Sequence, residues 1–502
     1  MVLSIIFSLV VGILAARNKK AESVIVPLLD IFQSIPILGF FPIVILGVIA
    51  LFPANPELGV NLAVILLIFT SMSWNIAFGV YEAVKSIPQD YIDLASMTNR
   101  SAWQRVTSLY IPASLSRIAY NTQTSWAVGL FYLISSEILS LGTSNYTVAH
   151  GIGVDIMSAI ISNDFTAYIS SIIVLVVAVV VWQLVFLRAF SLWSERYKFV
   201  SEPRGVQKDP LLRFYSWVNQ RSLAKLFLLT QGRGVTRFTS SLNRFRAGLK
   251  YVGVILLLLF FILEIGAITT SARGGFSSLP QSGVILTDEA SVLVSLGFSF
   301  LRIWYVYFIC VAVALPVGII VALHSKLYNA LVPVFEVIAS VPAPALLPAI
   351  ALIAFGAGEA VAALIIFLGM IWYIMFNIMA GIRTLPQEFY DLKNMLRVSS
   401  WQAWRHIYIP ATLTAFVTGS ITAVGAAWNT LIVAEYFNVE GGKPLTEVGT
   451  GIGKTIVVAT HNGDLVTLSL AVLSMTVLIV AFNLTVWRRV YHYTTRRYSY
   501  NL

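Results

Sequence analysis

The chain has 502 residues, of which 58% are hydrophobic and only 11% are charged, and its mean hydropathy is +0.83. A soluble protein carries about 25% charged residues, so this composition excludes a water-soluble globular protein and indicates an integral membrane protein. The net charge of +10 does not indicate nucleic acid binding, because 12 basic residues lie in one segment, 192–250, beside only 3 acidic residues.

Apolar runs that are long enough to cross a hydrocarbon layer of ~30 Å recur along the chain. The predicted spans are about 2–16, 24–52, 60–83, 117–141 and 165–190, followed by 248–270, 295–324, 328–356, 358–383, 414–438 and 464–490. The predicted fold is therefore all-α and polytopic, with about 11 transmembrane helices in a 5 + 6 arrangement. We divide it into a first half (1–191), a basic linker (192–247) and a second half (248–502).

Basic residues cluster in the linker and again near the C-terminus, at Arg488, Arg489, Arg496 and Arg497. Such clusters beside apolar spans are typical of cytoplasmic segments. We therefore expect a multi-pass protein of the cell membrane whose linker and C-terminus are cytoplasmic.

The two halves share a duplicated sequence. Ile87–Leu115 aligns with Leu385–Leu413 at a constant offset of 298, and Val26–Pro42 aligns with Val332–Pro348 at an offset of 306. Further downstream, Glu137 matches Glu435, and a pair of glycines follows in each half: Gly151 and Gly153, and Gly451 and Gly453. Collinear matches of this kind indicate two homologous halves in the same orientation, related by a pseudo-two-fold axis along the membrane normal.

The first half begins with a short apolar run. Gly12 aligns with Gly318, so Met1 aligns with Tyr307, in the middle of a predicted span. We therefore expect the first helix of this half to be truncated or missing, and we expect an upstream extension to restore a sixth span.

Gly449–Ile456, "GTGIGKTI", has the glycines and the Lys-Thr pair of a phosphate-binding loop. The Walker A pattern G-x4-G-K-[ST] requires glycine at position 448, where this chain has Val448. The 5 scattered histidines and the single Cys310 have no metal-ligand spacing, and no catalytic motif is present. The sequence therefore predicts no enzyme activity, no metal site and no cofactor bound by this chain.

Each half contains a polar segment between two spans with the same order of residue types: a proline, an acid, a basic residue, a tryptophan and a second proline. Such a helix along the membrane face suits docking of a soluble partner, and the alternative is a connecting loop whose tryptophan lies in the interfacial belt. The residues that define these segments are Asp93, Ala95, Asn99, Trp103 and Pro112 in the first half, and Asp391, Arg397, Trp401 and Pro410 in the second.

These segments resemble the EAA loop, E-A-A-x3-G-x9-I-x-L-P, of the inner-membrane permeases of binding-protein-dependent ABC importers. Both lack the glycine of that pattern, and their endings are "L-Y-I-P" and "I-Y-I-P". The whole chain looks like a fused, duplicated permease of the nitrate/sulfonate/taurine group.

The resemblance implies import of a small anion. It also implies two cytoplasmic ATPase subunits that bind ATP and Mg²⁺, an extracytoplasmic binding protein, contact with membrane lipid, and no nucleic acid. The alternative is an ion-coupled secondary transporter, which can also use parallel repeats.

Prolines inside predicted spans free backbone carbonyl groups, which membranes tolerate only where protein or a water-filled cavity surrounds them. The predicted substrate path combines such prolines with uncharged polar residues: Gln33, Ser34, Pro36, Asn75, Gln123, Ser340, Pro342, Asn377 and Asn429. Packing kinks and polar helix contacts are the alternative explanation. We expect Glu137 and Glu435 to gate the path or to pair with a basic residue of the neighbouring half, and the glycine pairs to permit tight re-entry of the chain.

Overall fold

The computed structural model describes residues 1–34, 36–52, 54–98, 101–141, 151–162, 164–194, 287–353, 358–385, 388–389, 395–396, 398–437, 446–462 and 464–498. Residues 195–247 of the linker, the predicted span 248–270 and three predicted docking residues (Asn99, Asp391 and Arg397) lie outside these ranges. The division into two halves and a linker therefore stays a prediction.

The first half is helical throughout its described part. Its helices are α1 (Val2–Arg17), α2 (Lys19–Ser34), α3 (Ile37–Leu51), α4 (Pro56–Lys85), α5 (Gln89–Met97), α6 (Ala102–Arg105), α7 (Ile111–Leu141), α8 (Ile152–Ile161), α9 (Phe165–Val181) and α10 (Arg188–Ser194). Two π-helical turns, Val106–Tyr110 and Trp182–Leu187, join α6 to α7 and α9 to α10.

The second half repeats this order. Its helices are α11 (Thr287–Leu323), α12 (Ser325–Ser340), α13 (Ala343–Ile353), α14 (Gly358–Arg383), α15 (Ser400–Ala403), α16 (Ile409–Glu435), α17 (Ile452–His461), α18 (Leu465–Phe482) and α19 (Arg488–Tyr498). Further π-helical turns occupy Trp404–Tyr408 and Asn483–Trp487. Strands β1 (Tyr436–Phe437) and β2 (Thr446–Glu447) pair antiparallel, with Tyr436 opposite Glu447.

Within the described residues, six helices are long and apolar enough to cross a membrane, and a bent pair of helices provides a possible seventh span. The six are Glu57–Lys85, Phe165–Ser191, Ser291–Leu323, Gly358–Arg383, Ser400–Glu435 and Val466–Arg497. The chain is therefore a multi-pass membrane protein, as predicted, but the count of eleven spans is not confirmed. Helix α1 is apolar but shorter than these six.

The predicted spans 24–52 and 328–356 are each interrupted, in the region of the prolines that the sequence places inside them. Each stretch is two helices, and in the second half Ser325–Ser340 and Ala343–Ala351 meet at an angle of 85°. Pro36 and Pro342 lie at the two breaks, and Val341 before Pro342 has an extended backbone (φ −77°, ψ 118°). Proline has no N–H to continue the helix, and its ring forces the preceding residue out of the helical conformation.

The duplicated sequence produces duplicated local structure. In both halves a π-helical turn ends two residues before a proline, at Pro112 and at Pro410. A proline ring clashes with the carbonyl group four residues before it, and the wider π-helical turn relieves that clash.

The last long helix of each half has an aspartate as its N-cap. The Asp164 carboxylate accepts from the N–H groups of Thr166 and Ala167, and Asp464 accepts from Val466 (3.1 Å) and Thr467 (3.0 Å). Burial raises the pKa of the Asp464 carboxyl, but the hydrogen bonds from Thr467 and Val466 outweigh it, so the pKa lies below its ordinary value. The caps therefore satisfy N–H groups that a helix start leaves unpaired.

The chain forms two compact units that do not follow the boundary between the halves. The first unit comprises Met1–Leu29, Met72–Ser125 and Val181–Leu263. Its core packs the second part of α4 and the start of α7 against α1 around residues such as Ile76, Val80 and Ile118. Gly12 permits this packing, because a Cβ there would lie 2.7 Å from the Cβ of Val80.

The second unit comprises Asp30–Ser71, Trp126–Val180 and Glu264–Leu502. Its core draws on both halves of the sequence, and α14 packs along both α11 and α16 at its centre. Residues of the first half, including Leu38, Tyr132 and Tyr168, belong to the same buried cluster as residues of the second. The sequence duplication and the packing units are therefore different divisions of the chain.

Candidate functional site

Both halves place a break between two helices, marked by a proline, in the second unit. Ser340 and Pro342 are buried at the break between α12 and α13, and the Ser340 hydroxyl donates to the Glu336 carbonyl (2.7 Å). Pro36 is buried at the start of α3 in the first half. The side chains of Gln33 and Ser34, the other predicted path residues at this break, lie outside the described part of the chain.

The two broken helices reach residues of the opposite half. The backbone N–H of Leu38, two residues after Pro36, donates to the Asn429 side-chain oxygen (3.3 Å), and α3 also contacts α17. In the other direction the Tyr168 hydroxyl donates to the Ala345 carbonyl (3.1 Å), and α13 contacts α8. The break in each half is therefore supported by a polar side chain of the other half.

Asn429, one of the residues of the predicted substrate path, lies beside the break at Pro36. Its amide nitrogen also donates to the Gly425 carbonyl (3.2 Å). Tyr168 is a site residue that the sequence did not predict. The only signal in the sequence is its hydroxyl within an apolar span, and that hydroxyl needs a partner when it is buried.

Two of the remaining predicted polar residues form contacts within their own halves. In the first unit, the Asn75 amide donates to Ser125 Oγ (3.1 Å), and Gln123 lies half-buried nearby on α7. In the second unit, the Asn377 amide donates to the Tyr373 carbonyl of its own helix (2.8 Å).

An asparagine and a glycine face each other in both halves, but they have exchanged helices. In the first half Gly79 on α4 faces Asn121 on α7, and in the second Asn377 on α14 faces Gly419 on α16. Positions 79 and 377, and positions 121 and 419, are related by the same offset of 298. A Cβ at Gly419 would lie 2.8 Å from the Asn377 Cβ, so only one of the two positions has room for a side chain.

The exchanged asparagines donate to equivalent acceptors. The Asn121 amide donates to the Asn75 carbonyl (3.0 Å), and the Asn377 amide donates to the Tyr373 carbonyl, 298 residues further along. The asparagine side chain therefore donates to an equivalent backbone carbonyl in each half, although it comes from α7 in the first half and from α14 in the second.

A buried charge cluster surrounds Glu435 at the end of α16. Glu435 is 0% exposed and pairs with Arg302 of α11, which is 4% exposed. The Ser299 hydroxyl (2.5 Å) and the N–H of Gly453 (2.7 Å) also donate to the Glu435 carboxylate. Arg302 donates further to both oxygens of Glu359, at 2.9 and 2.6 Å. The cluster thus ties α11, α14, α16 and the start of α17 together.

This geometry corrects one expectation about Glu435. Its basic partner, Arg302, belongs to the same half and not to the neighbouring one. Arg302, Ser299 and Glu359 were not predicted, although a basic residue inside a span usually needs an acidic partner, and this rule could have identified Arg302.

The glycine pair of "GTGIGKTI" serves the same carboxylate. Gly451 is the N-cap of α17 with an extended backbone (φ −179°), a conformation open to any residue, so conformational freedom does not explain the glycine. A Cβ on Gly451 would instead overlap the Glu435 carboxylate. Lys454, which suggested a phosphate-binding loop, pairs with Glu447 of β2 (2.8 Å).

The first half repeats the contact between carboxylate and glycine. The N–H of Gly153, at the start of α8, donates to the buried Glu137 carboxylate (2.6 Å), and a Cβ on Gly151 would overlap that carboxylate. In both halves a carboxylate thus lies at a helix N-terminus, where the N–H groups and the helix dipole stabilise negative charge.

The predicted docking segments present an exposed tryptophan in each half, Trp103 (39% exposed) and Trp401 (74% exposed). Asp93 is exposed on α5, where it accepts from the Gln89 amide (2.9 Å), and Ala95 is buried. In the second segment, a reciprocal capping box between Ser399 and Gln402 starts the helix that carries the tryptophan.

The first segment has the same cap. Ser101 and Gln104 exchange equivalent hydrogen bonds, the N–H of Ser101 donating to Gln104 Oε1 (2.8 Å) and the N–H of Gln104 to Ser101 Oγ (3.2 Å). The structure thus repeats the cap, the tryptophan, the π-helical turn and the proline in one order. Within the described residues, no group of three or more His, Cys, Asp or Glu side chains could hold a metal ion.

A family model described as "Binding-protein-dependent transport system inner membrane component" matches residues 8–198 and 314–499. The chain belongs to this family. The two matched stretches, one in each half, confirm the duplication. The family is a membrane transport component and not an enzyme, as the resemblance implied.

Individual family members are similar to parts of the chain. The nitrate import permease protein NrtB of Leptolyngbya laminosa is 28% identical over 178 residues, which are 36% of this chain and 60% of the relative. The bicarbonate transport system permease protein CmpB of Synechococcus elongatus is 31% identical over 164 residues, 32% of this chain and 54% of the relative.

The taurine transport system permease protein TauC of Escherichia coli is 30% identical over 147 residues, 29% of this chain and 53% of the relative. The chain therefore spans about half the length of the curated relatives that it matches.

Proposed function

We propose that this chain is the membrane-spanning component of an ATP-driven importer and that its two halves form the path for a small anion. Membership of a binding-protein-dependent transport family supports the importer. Relatives whose names specify nitrate, bicarbonate and taurine transport support an anionic or zwitterionic substrate. The broken helices, with uncharged polar groups such as Ser340 and Asn429 beside them, suit a solute path.

The observation that carries the proposal is the duplicated docking segment. Each segment is short, polar and capped, yet it exposes large apolar side chains, including Met97 and Trp103 in the first half and Met395 and Trp401 in the second. Exposed apolar groups on a polar helix between two spans are typical of a surface that docks a partner. Two cytoplasmic ATPase subunits, which would bind ATP and Mg²⁺, would dock here, one on each segment.

The charge cluster would lie on the opposite face of the membrane. Helix α16 runs for 27 residues from Ile409, beside the second docking segment, to Glu435. At 1.5 Å per residue it is about 40 Å long, which exceeds the hydrocarbon thickness of ~30 Å. With the docking segments, linker and C-terminus in the cytoplasm, the glycine loops face outward, where a binding protein would deliver the substrate.

An ion-coupled secondary transporter remains the alternative function, and the structure offers little support for it. Such a transporter needs an ionisable group in the spans that can gain and lose a proton or an ion. The buried Glu435 is instead neutralised by Arg302 and accepts hydrogen bonds from Ser299 and Gly453. These fixed partners favour a structural carboxylate over an exchanging one.

Co-purification tests the proposal. A tagged chain is expected to carry an ATP-hydrolysing subunit, and the pair Trp103→Ala and Trp401→Ala is expected to release it. Phe298→Ala, which removes an exposed aromatic ring of α11, is the control and should retain the subunit. Ion-dependent, ATP-independent uptake by the chain alone in vesicles would instead favour the secondary transporter.

A further inference from the structure

Each half contains a basic residue in the last turn of the helix that leads into its docking segment. The first half has Lys85 at the end of α4, and the second has Arg383 at the end of α14. The two positions are related by the offset of 298 that relates the docking segments. They are the last helical residues before each segment's first proline, Pro88 and Pro386.

Both basic residues contact the helix that ends at the proline break. In the first half Lys85 Nζ lies 2.7 Å from both carboxylate oxygens of Glu22 on α2, and the Tyr81 hydroxyl also donates to Glu22 (2.6 Å). In the second half the Arg383 guanidinium lies over the ring of Tyr328 on α12, with its Cζ atom 4.6 Å from the ring centroid.

The two partners occupy equivalent positions but differ in chemistry. Glu22 and Tyr328 are related by the offset of 306 that also relates the broken helices. An ion pair in one half corresponds to a cation–π contact in the other. The two copies have diverged in the interaction and have kept the contact between the same two helices.

These contacts contribute little to folding stability. Side chains of Lys85 and Glu22 are 48% and 26% exposed, and exposed ion pairs and cation–π contacts are weak. Their placement is informative instead, because each connects the end of a docking segment to a helix that reaches its break 12 to 14 residues later. At 1.5 Å per residue this distance is about 20 Å along the helix.

We propose that Lys85–Glu22 and Arg383–Tyr328 are two equivalent coupling contacts that transmit movement of the docking segments to the broken helices. The inference rests on the proposed function, since it assumes that ATPase subunits move these segments. Lys85 and Arg383 are then positioning residues: they touch neither nucleotide nor substrate, and their loss uncouples ATP hydrolysis from transport.

The test measures two rates on the same sample. The assembly that co-purifies with the tagged chain is reconstituted into liposomes with its binding protein, and ATP hydrolysis is measured beside uptake of radiolabelled nitrate, bicarbonate and taurine. Tyr328→Ala is expected to lower the number of solute molecules transported per ATP by about two- to fivefold, the change that corresponds to losing an exposed cation–π contact. Tyr328→Phe keeps the aromatic ring and should keep the wild-type ratio.

The first half provides an independent test by charge exchange. Lys85→Glu alone should lower transport per ATP, and the pair Lys85→Glu and Glu22→Lys should restore it, because the ion pair is re-formed in reverse. A Tyr328→Ala ratio equal to that of the wild type, or a charge-exchanged pair no better than Lys85→Glu alone, would overturn the inference. A wild-type assembly without ATP-dependent uptake would instead overturn the proposed function.

Discussion

The exchanged asparagine and glycine allow a prediction whose size follows from the structure. In the second half Asn377 faces Gly419, and in the first half the residues at these positions are Gly79 and Asn121. The pair Asn377→Gly and Gly419→Asn gives the second half the arrangement that the first half already has. We expect each single change to destabilise the protein and the pair to restore most of the loss.

The two single substitutions destabilise the protein for different reasons. Gly419→Asn forces a side chain into space where a Cβ already lies 2.8 Å from both the Asn377 Cβ and the Tyr373 carbonyl oxygen, and such overpacking costs about 2–3 kcal/mol. Asn377→Gly removes the hydrogen bond to Tyr373 (about 1 kcal/mol), lowers helix propensity and leaves a cavity, about 2 kcal/mol in total.

In the double variant the asparagine amide reaches the Tyr373 carbonyl from the other helix. The double variant should therefore be only about 1 kcal/mol less stable than the wild type. The favourable interaction energy between the two substitutions is then at least about 2 kcal/mol. The assay is unfolding in mixed micelles by SDS titration, followed by far-ultraviolet circular dichroism. Gly425→Asn is the control on the same helix, because no atom lies within 4 Å of a Cβ there. A double variant no more stable than Gly419→Asn alone would refute the reasoning.

Three further outcomes follow from the charge cluster and the caps, and the same unfolding assay measures them. Gly451→Ala should cost about 2 kcal/mol because its methyl group displaces the Glu435 carboxylate, whereas Gly449→Ala, where a Cβ meets nothing within 4 Å, should change stability by less than about 0.5 kcal/mol. Equal effects at the two glycines would contradict this explanation. Arg302→Met should cost about 3 kcal/mol because it leaves Glu435 buried without its opposite charge, and adding Glu435→Gln should recover part of that loss. No recovery would mean that the charge of Glu435 is not the cause. Asp464→Ala should cost about 1 kcal/mol at pH 7. Because the folded-state pKa of Asp464 is lowered, the difference from wild type should shrink as the pH falls from the ordinary aspartate pKa through the folded-state value, and a difference that is independent of pH would count against the carboxylate cap.

The membrane location, the duplication and the docking segments can all be predicted from the composition and the internal repeat. A chain with 11% charged residues cannot cover a water-facing surface, and collinear matches that include Pro112 with Pro410 require two homologous halves. The repeat also singles out Glu137 and the glycines Gly151 and Gly153, although nothing in the sequence explains these glycines beyond the tight turn that glycine permits. The docking segments were found from their order of residue types, because that order is local along the chain.

The breaks at Pro36 and Pro342 could only be suspected. A proline is compatible with a kinked continuous span or with two separate helices, and the choice depends on whether neighbouring groups accept the freed backbone. In this fold the Asn429 side-chain oxygen accepts from the Leu38 N–H in the first turn of α3, and the Tyr168 hydroxyl donates to the Ala345 carbonyl of α13. These partners come from the other half of the chain, so no window of sequence around either proline contains them.

Composition and the internal repeat are enough to identify a duplicated, helical membrane protein and the residue types that recur in each copy. Which residues meet depends on the packing of the helices. Gly451 leaves room for Glu435, Arg302 neutralises that carboxylate, and Asn121 and Asn377 reach equivalent carbonyl groups from opposite helices. Periodicity and composition report on each helix separately. The site depends instead on the packing of helices that are far apart in sequence. There a glycine is needed because an atom from another helix occupies the space that a side chain would fill.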